Sequence, residues 1–198
     1  NDIVVLQGNT LTKFTWPDDS IPAKATVCVV SRFTDATGYG MIFSSGTAST
    51  YEKTDAFGHC SGNRGHWKMG GEWKTQSIHN VGVVTDWLVM CGVSSGSHPQ
   101  NVVMDQEDVG VASSSSTDLS RKLSINCVDP TQLSKFQIHS LYIWNEELSN
   151  YEMKVVTSAL RAQIGGTPEN GLLAGDAMVP SDTAYEQMSL VGYDLNDS

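Results

Sequence analysis

The sequence has few positive charges for its length. Its 198 residues contain 12 lysines and arginines against 22 aspartates and glutamates, which gives a formal net charge of -10. A protein that coats nucleic acid must neutralise phosphates, and one that docks on an anionic membrane needs basic clusters. The charge balance therefore excludes nucleic-acid binding through bulk electrostatics and disfavours an anionic membrane surface as a partner.

Long apolar runs are also missing. The longest, at residues 87–93, is far shorter than the roughly 20 residues that a membrane helix needs, so we expect no membrane insertion. No basic segment followed by an apolar one opens the chain at Asn1. We expect that any secretion signal has been removed, or that the chain is an excised piece.

Cysteines are few, and their spacing is irregular. Cys28, Cys60, Cys91 and Cys127 form neither a C-x-x-C pair nor a zinc-ligand pattern. Two disulfides are compatible with this spacing, and so are buried thiols in strands. The cysteine count therefore leaves both the pairing and the cellular compartment open.

Short β-rich segments separated by Gly, Ser, Asn and Asp clusters fill the first 145 residues. This pattern is typical of an all-β sandwich with two antiparallel sheets. A Gly70-Gly71 pair between two short apolar segments predicts a two-residue hairpin. The predicted strands lie at residues 3–6, 11–15, 25–33, 40–43, 87–93, 102–104, 123–126 and 136–144.

One helix is predicted near the end of this region. Ser149 and Glu152 have the spacing of a capping box, and Leu148 can pack on Met153 as a hydrophobic staple. Apolar residues then follow at helical spacing, and Gly165-Gly166 ends the helix. The apolar face consists of Met153, Val156, Leu160 and Ile164.

The composition changes at the end of this helix, so we divide the chain into a sandwich at 1–165 and an acidic arm at 166–198. Residues 167–198 contain six acidic residues and no lysine or arginine. We expect the arm to be ordered by packing, either on its own sandwich or on a neighbouring subunit. Its apolar anchors are Leu172, Leu173, Met178, Tyr185, Leu190 and Tyr193.

The segment 57–75 is locally basic and carries two tryptophans. Strand alternation around Gly70-Gly71 places Trp67, Met69, Glu72 and Lys74 on one face, and His66, Lys68, Trp73 and Thr75 on the other. An outward tryptophan beside hydrogen-bond donors suits stacking on a sugar ring. The alternative is that both rings are buried. The candidate carbohydrate-binding residues are Arg64, His66, Trp67, Lys68 and Trp73.

Two segments resemble the concanavalin A-like lectin/glucanase superfamily, and within it the laminin-G-like domains. Residues 101–112, Asn-Val-Val-Met-Asp-Gln-Glu-Asp-Val-Gly-Val-Ala, resemble one of its hairpins, with Asp105-Gln106 in place of Asp-Gly. Residues 134–145, which end in Trp144-Asn145, and the following Leu148-Ser149 with Glu152 resemble a strand and the helix start after it. The resemblance covers roughly residues 1–165.

This resemblance implies a jelly-roll sandwich, an extracellular or cell-surface location and a carbohydrate-binding or adhesive role, in some members with Ca²⁺. The Glu-x-Asp-x-x-Glu strand of the glucanases is absent from the sequence, so we expect no enzymatic activity. Asp18, Asp19 and Asp35 are candidate Ca²⁺ ligands, and ordinary turn caps are the alternative. The acidic run Asp105-Gln-Glu-Asp108 is interpreted as a solvated turn.

Two further motifs have weak signals. His59, Cys60 and His66 are residue types that zinc binds, but their spacing is irregular. Gly92-Val-Ser94-Ser-Gly96 matches G-x-S-x-G, yet Pro99 follows too closely for the helix that a nucleophile elbow requires. We interpret it as a loop.

The sequence thus predicts a noncatalytic module that binds a glycan or glycoprotein. The alternative is a structural subunit that joins other copies or neighbouring subunits through its C-terminal arm. A polysaccharide hydrolase or lyase is a remote third possibility.

Overall fold

Two antiparallel sheets of six strands each face one another in a computed structural model, which confirms the predicted all-β sandwich. The structure describes residues 3–35, 40–45, 55–69, 72–75, 82–94, 100–111, 120–126 and 131–165. In spatial order, the first sheet contains β1 (Leu6–Gly8), β12 (Phe136–Trp144), β3 (Thr26–Phe33), β8 (Leu88–Val93), β9 (Val102–Met104) and β10 (Glu107–Asp108). The second contains β2 (Phe14–Thr15), β11 (Leu123–Ile125), β4 (Phe43–Ser45), β5 (Asp55–Cys60), β6 (Asn63–Met69) and β7 (Glu72–Trp73).

The main core lies between the two sheets. Alternate residues of each strand point inward, so that Val27 and Val29 of β3 meet Phe57 of β5 and Trp67 of β6 in one buried cluster. Strand β5 was not among the predicted strands, because Asp-Ala-Phe-Gly-His-Cys places the polar Asp55 and His59 at inward positions, where an apolar residue is expected.

Helix α1 (Asn150–Gln163) begins as predicted, since Ser149 and Glu152 form a reciprocal capping box. It covers the outer face of the first sheet and builds a second cluster in which Met153 and Leu160 are buried and Val156 and Ile164 are partly buried. The helix packs there because the outward residues of β3 and β8 are themselves apolar and are covered by its apolar face. No helix among the described residues is long and apolar enough to cross a membrane.

A disulfide joins β3 to β8 beneath this helix. Cys28 and Cys91 are directly opposite each other in the strand register and are bonded. Cys60 is a buried thiol in a small cluster with Met41 and Ala56, and Cys127 lies outside the described residues. The structure therefore selects one pairing where the cysteine spacing left several open.

The β9–β10 connection is a two-residue turn, because Met104 pairs with Glu107. Asp105 and Gln106 both have positive φ, 45° and 75°, as a type I′ turn requires. The missing glycine at position 106 therefore does not prevent the tight turn. The turn places the Asp105 carboxylate where it accepts hydrogen bonds from the Arg64 side chain of β6 and from the Val89 backbone amide of β8.

Candidate functional site

The β6–β7 hairpin has the predicted register, with Lys68 opposite Trp73 and Met69 opposite Glu72. The two connecting residues, 70 and 71, lie outside the described residues. Antiparallel partners point to the same face, so Lys68 and Trp73 share one side of the sheet while Trp67 and Met69 share the other. The division of the two tryptophans between opposite faces is as predicted.

Trp67 lies on the inner side. Its side chain is fully buried in the main core, and its ring packs on Phe57 with a centroid distance of 5.2 Å. On the opposite sheet it lies against Gly92, where a β-carbon would come within 2.5 Å of the indole Cε2 atom. Trp67 therefore cannot stack on a ligand, and its inclusion among the candidate binding residues is corrected.

Arg64 is also directed between the sheets. Its Nη2 atom donates to the Trp87 carbonyl at 2.6 Å and forms an ion pair with Asp105. Arg64 points inward because the β5–β6 pairing is irregular. Gly58 pairs with His66, but His59 pairs with Arg64. The extra residue in β6 is Gly65, with a φ of 98°, and it turns Arg64 inward. We therefore correct Arg64 from a ligand donor to a bridge between the sheets.

The outer side of the hairpin carries a cluster of three residues, which we call the Trp73 cluster: His66, Lys68 and Trp73. Trp73 is half-buried on the edge strand β7. The Lys68 Nζ atom lies 5.8 Å from the centroid of its ring, within the range of a cation–π interaction. The His66 ring meets it edge-on at 5.1 Å. His66 and Lys68 are themselves buried, so Trp73 is the most accessible member.

Small residues neighbour this cluster on the adjacent strand. The partner of Lys68 in β5 is Ala56, and the partner of His66 is Gly58. Ala56 is buried in a small apolar cluster, and a β-carbon at Gly58 would point into the core between the sheets. The cluster itself offers an aromatic ring, a cation and an imidazole, with Trp73 as its accessible group.

His59 does not join His66 in a metal site. Its ring is buried between the sheets, where its Nδ1 atom shares a hydrogen bond of 3.1 Å with the Ser31 hydroxyl and its edge faces Phe33 at 4.8 Å. Cys60 lies in the separate small cluster with Met41 and Ala56. Among the described residues, no three His, Cys, Asp or Glu side chains are grouped so that they could hold a metal ion.

Burial controls the protonation of His59. Loss of solvation is the main cause that lowers the pKa of His59 from 6.5 to about 3; the charge of Arg64 lowers it further, and a backbone hydrogen bond at Val84 opposes both. The ring is therefore neutral in the folded protein at every pH above about 3, whereas an unfolded chain protonates it below about 6.5.

We expect this histidine to make the fold acid-sensitive. Between pH 6.5 and 3 the unfolded state binds one more proton, so His59 should lower the free energy of unfolding by about 1.4 kcal/mol for each pH unit of acidification. Urea unfolding at pH 7, 6, 5 and 4 measures this slope. His59→Gln should reduce the slope of the free energy of unfolding against pH by about 1.4 kcal/mol per pH unit, the contribution of one proton. The control His139→Gln, at a half-buried histidine, should change this slope less. An unchanged slope in His59→Gln would contradict the argument.

The candidate Ca²⁺ ligands have other partners. Asp18 pairs with Lys122 at 3.2 Å, Asp35 pairs with Lys135 at 2.8 Å, and Asp19 accepts a hydrogen bond from Ser120. The structure thus shows these three carboxylates in surface ion pairs and a turn contact. Whether Ca²⁺ binds remains a prediction from the resemblance.

Ser94 of the G-x-S-x-G motif has a structural role. Its hydroxyl oxygen accepts a hydrogen bond from the Ala25 backbone at 2.8 Å, and the hydroxyl donates to the Ala23 carbonyl at 2.7 Å. The side chain is buried, so it ties the end of β8 to the start of β3. The interpretation of this motif as a loop without a nucleophile agrees with these contacts.

A second polar surface escaped the sequence analysis. On the outer face of the first sheet, Gln7 of β1, Gln137 of β12 and Arg32 of β3 form one cross-strand row, and Arg32 packs on Trp87. The nearest of these residues in sequence are 25 apart and the most distant 130, so no local pattern joins them. Trp87 is half-buried at this surface.

The predicted partner-binding arm, including Leu172, Leu173, Met178, Tyr185, Leu190 and Tyr193, lies outside the described residues. The division between sandwich and arm, and the assembly role of the arm, therefore stay predictions.

The fold of this chain is similar to those of several solved structures. No family model matches the sequence, and no curated protein matches it either. Among solved structures, domain 4 of AbnA, a GH43 extracellular arabinanase from Geobacillus stearothermophilus, in complex with arabinotriose, has a TM-score of 0.56 at 12% identity and covers 79% of this chain and 82% of that chain.

Two other solved structures match the chain with lower TM-scores. A heptameric SAP-like pentraxin from Limulus polyphemus has a TM-score of 0.48 at 13% identity, covering 74% of this chain and 75% of that chain. Trypanosoma rangeli sialidase has a TM-score of 0.48 at 11% identity, covering 83% of this chain and 28% of that chain. The arabinanase domain is the one from which we argue, and at 12% identity the likeness shows the fold alone, a two-sheet β-sandwich.

Proposed function

We propose that this protein is a noncatalytic carbohydrate-binding module, and that the Trp73 cluster is its contact with the sugar. The observation that carries the proposal is a half-buried indole on an edge strand, with a lysine ammonium 5.8 Å from its ring centroid and an imidazole in a T-shaped contact with it at 5.1 Å. A sugar ring presents C–H groups to an aromatic face and hydroxyls to nearby donors, so this combination is suited to it.

One further observation supports the proposal. The arabinanase domain that shares the fold was solved with arabinotriose, so a sandwich of this shape can hold a short oligosaccharide. We also propose an extracellular location, because the disulfide between Cys28 and Cys91 is of a kind that persists mainly in oxidising compartments.

A glycan array of neutral and acidic oligosaccharides, with arabinotriose included, tests the proposal, followed by calorimetric titration of the best ligand. We expect Trp73→Ala to weaken that binding at least tenfold, because the stacking surface is removed. Tyr151→Ala is the matched control, since it removes a 64% exposed aromatic ring from helix α1, and it should leave the affinity within twofold.

Three outcomes would contradict the proposal. The folded wild-type protein could bind no oligosaccharide on the array, Trp73→Ala could bind as tightly as wild type, or the best ligand could be cleaved during incubation. The titration is repeated with EDTA, because our proposal needs no Ca²⁺ and predicts an unchanged affinity.

A further inference from the structure

The row formed by Gln7, Gln137 and Arg32 with Trp87, which we call the Arg32 row, crosses the outer face of the first sheet. Gln7 pairs with Gln137, and Gln137 pairs with Arg32. Since direct partners in antiparallel strands share a face, the three side chains extend from the same side of the sheet. Gln7 is exposed, and the other three residues of the row are half-buried, so the row is accessible to a ligand.

Two contacts fix the guanidinium of Arg32. Its Nε atom donates to the Gln137 side-chain oxygen at 2.7 Å, and its Cζ atom lies 4.7 Å from the centroid of the Trp87 ring. Gln137 is fixed in turn, because its amide nitrogen donates to the Gln7 side-chain oxygen at 2.8 Å. The orientation of the guanidinium is thus set before any ligand arrives, while neither of its two terminal amino groups is used in these contacts.

Arg32 also lacks a counterion among the described residues. Arg64 and Arg161 both face Asp105, and Arg121 pairs with Asp55. In the part of the chain that the structure describes, Arg32 has no carboxylate within ion-pair distance. An arginine that is oriented by its neighbours and lacks an acidic partner is suited to bidentate binding of an external carboxylate.

A second cation lies close to the same tryptophan. The Nη1 atom of Arg161 donates to the Trp87 carbonyl at 3.1 Å, while its charge is shared with Asp105 at 3.6 Å. The surroundings of Trp87 therefore hold positive charge in a protein whose total charge is -10. A local cation of this kind is needed if an acidic ligand is to bind an acidic protein.

We propose that the Arg32 row binds the carboxylate of an acidic sugar. The two terminal amino groups of Arg32 hold the two carboxylate oxygens, and the amides of Gln7 and Gln137 hydrogen-bond to hydroxyls of the adjoining ring. This site is distinct from the Trp73 cluster, because it lies on the other sheet. It does not depend on the function proposed above for that cluster.

Calorimetric titration with tetragalacturonate tests the site. Its fully methyl-esterified form has the same sugar rings but no carboxylate charge, so a second titration with this ester measures what the charge contributes. We expect wild type to bind the acid at least tenfold more tightly than the ester. Arg32→Gln should lose at least tenfold in affinity for the acid. Arg32→Lys should also lose most of the binding, because lysine keeps the charge but lacks the planar pair of donors.

The matched control is Lys154→Gln, which removes a cation already paired with Asp108 at 2.9 Å and should change the affinity less than twofold. Thermal unfolding verifies that each variant is folded. Equal affinity for acid and ester, unchanged binding by Arg32→Gln, or no binding by wild type would overturn the proposal. Binding of sulfated but not carboxylated oligosaccharides would overturn the assignment to a carboxylate.

The variant Trp73→Ala separates the two sites. We expect it to keep the Arg32-dependent binding of tetragalacturonate. If binding of this compound instead requires Trp73 and not Arg32, the second site is refuted while carbohydrate binding at the Trp73 cluster stands.

Discussion

Replacing Trp67 by alanine should lower the free energy of unfolding by about 3–5 kcal/mol, the range for deleting a large aromatic side chain from a packed core. The side chain is fully buried between Phe57 of its own sheet and Gly92 of the other. Urea unfolding monitored by circular dichroism measures the loss. Trp73→Ala, on the other face of the same hairpin, should cost less than half as much.

The contact between Trp67 and Gly92 can be tested as a pair. Gly92→Ala would place a β-carbon 2.5 Å from the indole Cε2 atom, and overpacking of this kind costs about 1–3 kcal/mol. In a Trp67→Phe background the smaller ring leaves room for the methyl group, so the same substitution should cost less. Strict additivity of the two changes would show that the indole and Gly92 are not in contact.

The second large effect is expected at Asp55, where Asp55→Asn should cost about 3–5 kcal/mol because it leaves a buried cation without its partner. The Asp55 carboxylate lies 2.7 Å from Arg121, with both side chains 7% exposed, and accepts a hydrogen bond of 3.1 Å from Ser45. Urea unfolding at pH 7 measures the loss. Asp35→Asn is the control, since it breaks a half-exposed pair with Lys135 and should cost no more than about 1 kcal/mol.

Lys74 is a second buried cation that depends on the Asp55 charge. Burial lowers the pKa of Lys74 below its usual range; Glu72 raises it, Arg121 lowers it and Asp55 raises it. Removing the Asp55 charge thus takes away support from two buried cations at once. Asp55→Asn combined with Arg121→Met should be more stable than Asp55→Asn alone, because the unpaired guanidinium is gone. If the double variant is no more stable than Asp55→Asn, the unpaired guanidinium of Arg121 is not the cause of the loss of stability.

The features that the sequence predicted well are those that short-range chemistry decides. The capping box at Ser149 and Glu152 needs only a three-residue spacing, and the helix follows it as expected. The β6–β7 hairpin needs only two glycines between two short strands, and its register is the predicted one. Alternation then separates Trp67 from Trp73 without any knowledge of the rest of the chain.

What the alternation leaves undecided is which of the two faces is buried. Trp67 is inside because β6 packs against a glycine on a distant strand, Gly92, whose missing side chain leaves room for the indole. Arg64 is inside because one extra residue, Gly65, shifts the register against β5. A shift of one residue reverses the face of a side chain, and it depends on which residues of the partner strand form the hydrogen bonds.

The all-β class, the capped helix α1 and the β6–β7 hairpin were predictable from short segments, because hydrophobic period, capping residues and glycine pairs act over a few positions. The side chains that meet across strands were not predictable in this way. Arg32 and Gln137 are 105 residues apart and form a hydrogen bond, and Cys28 pairs with Cys91 across 63 residues. Both contacts depend on the order and register of strands, which many long-range contacts fix together.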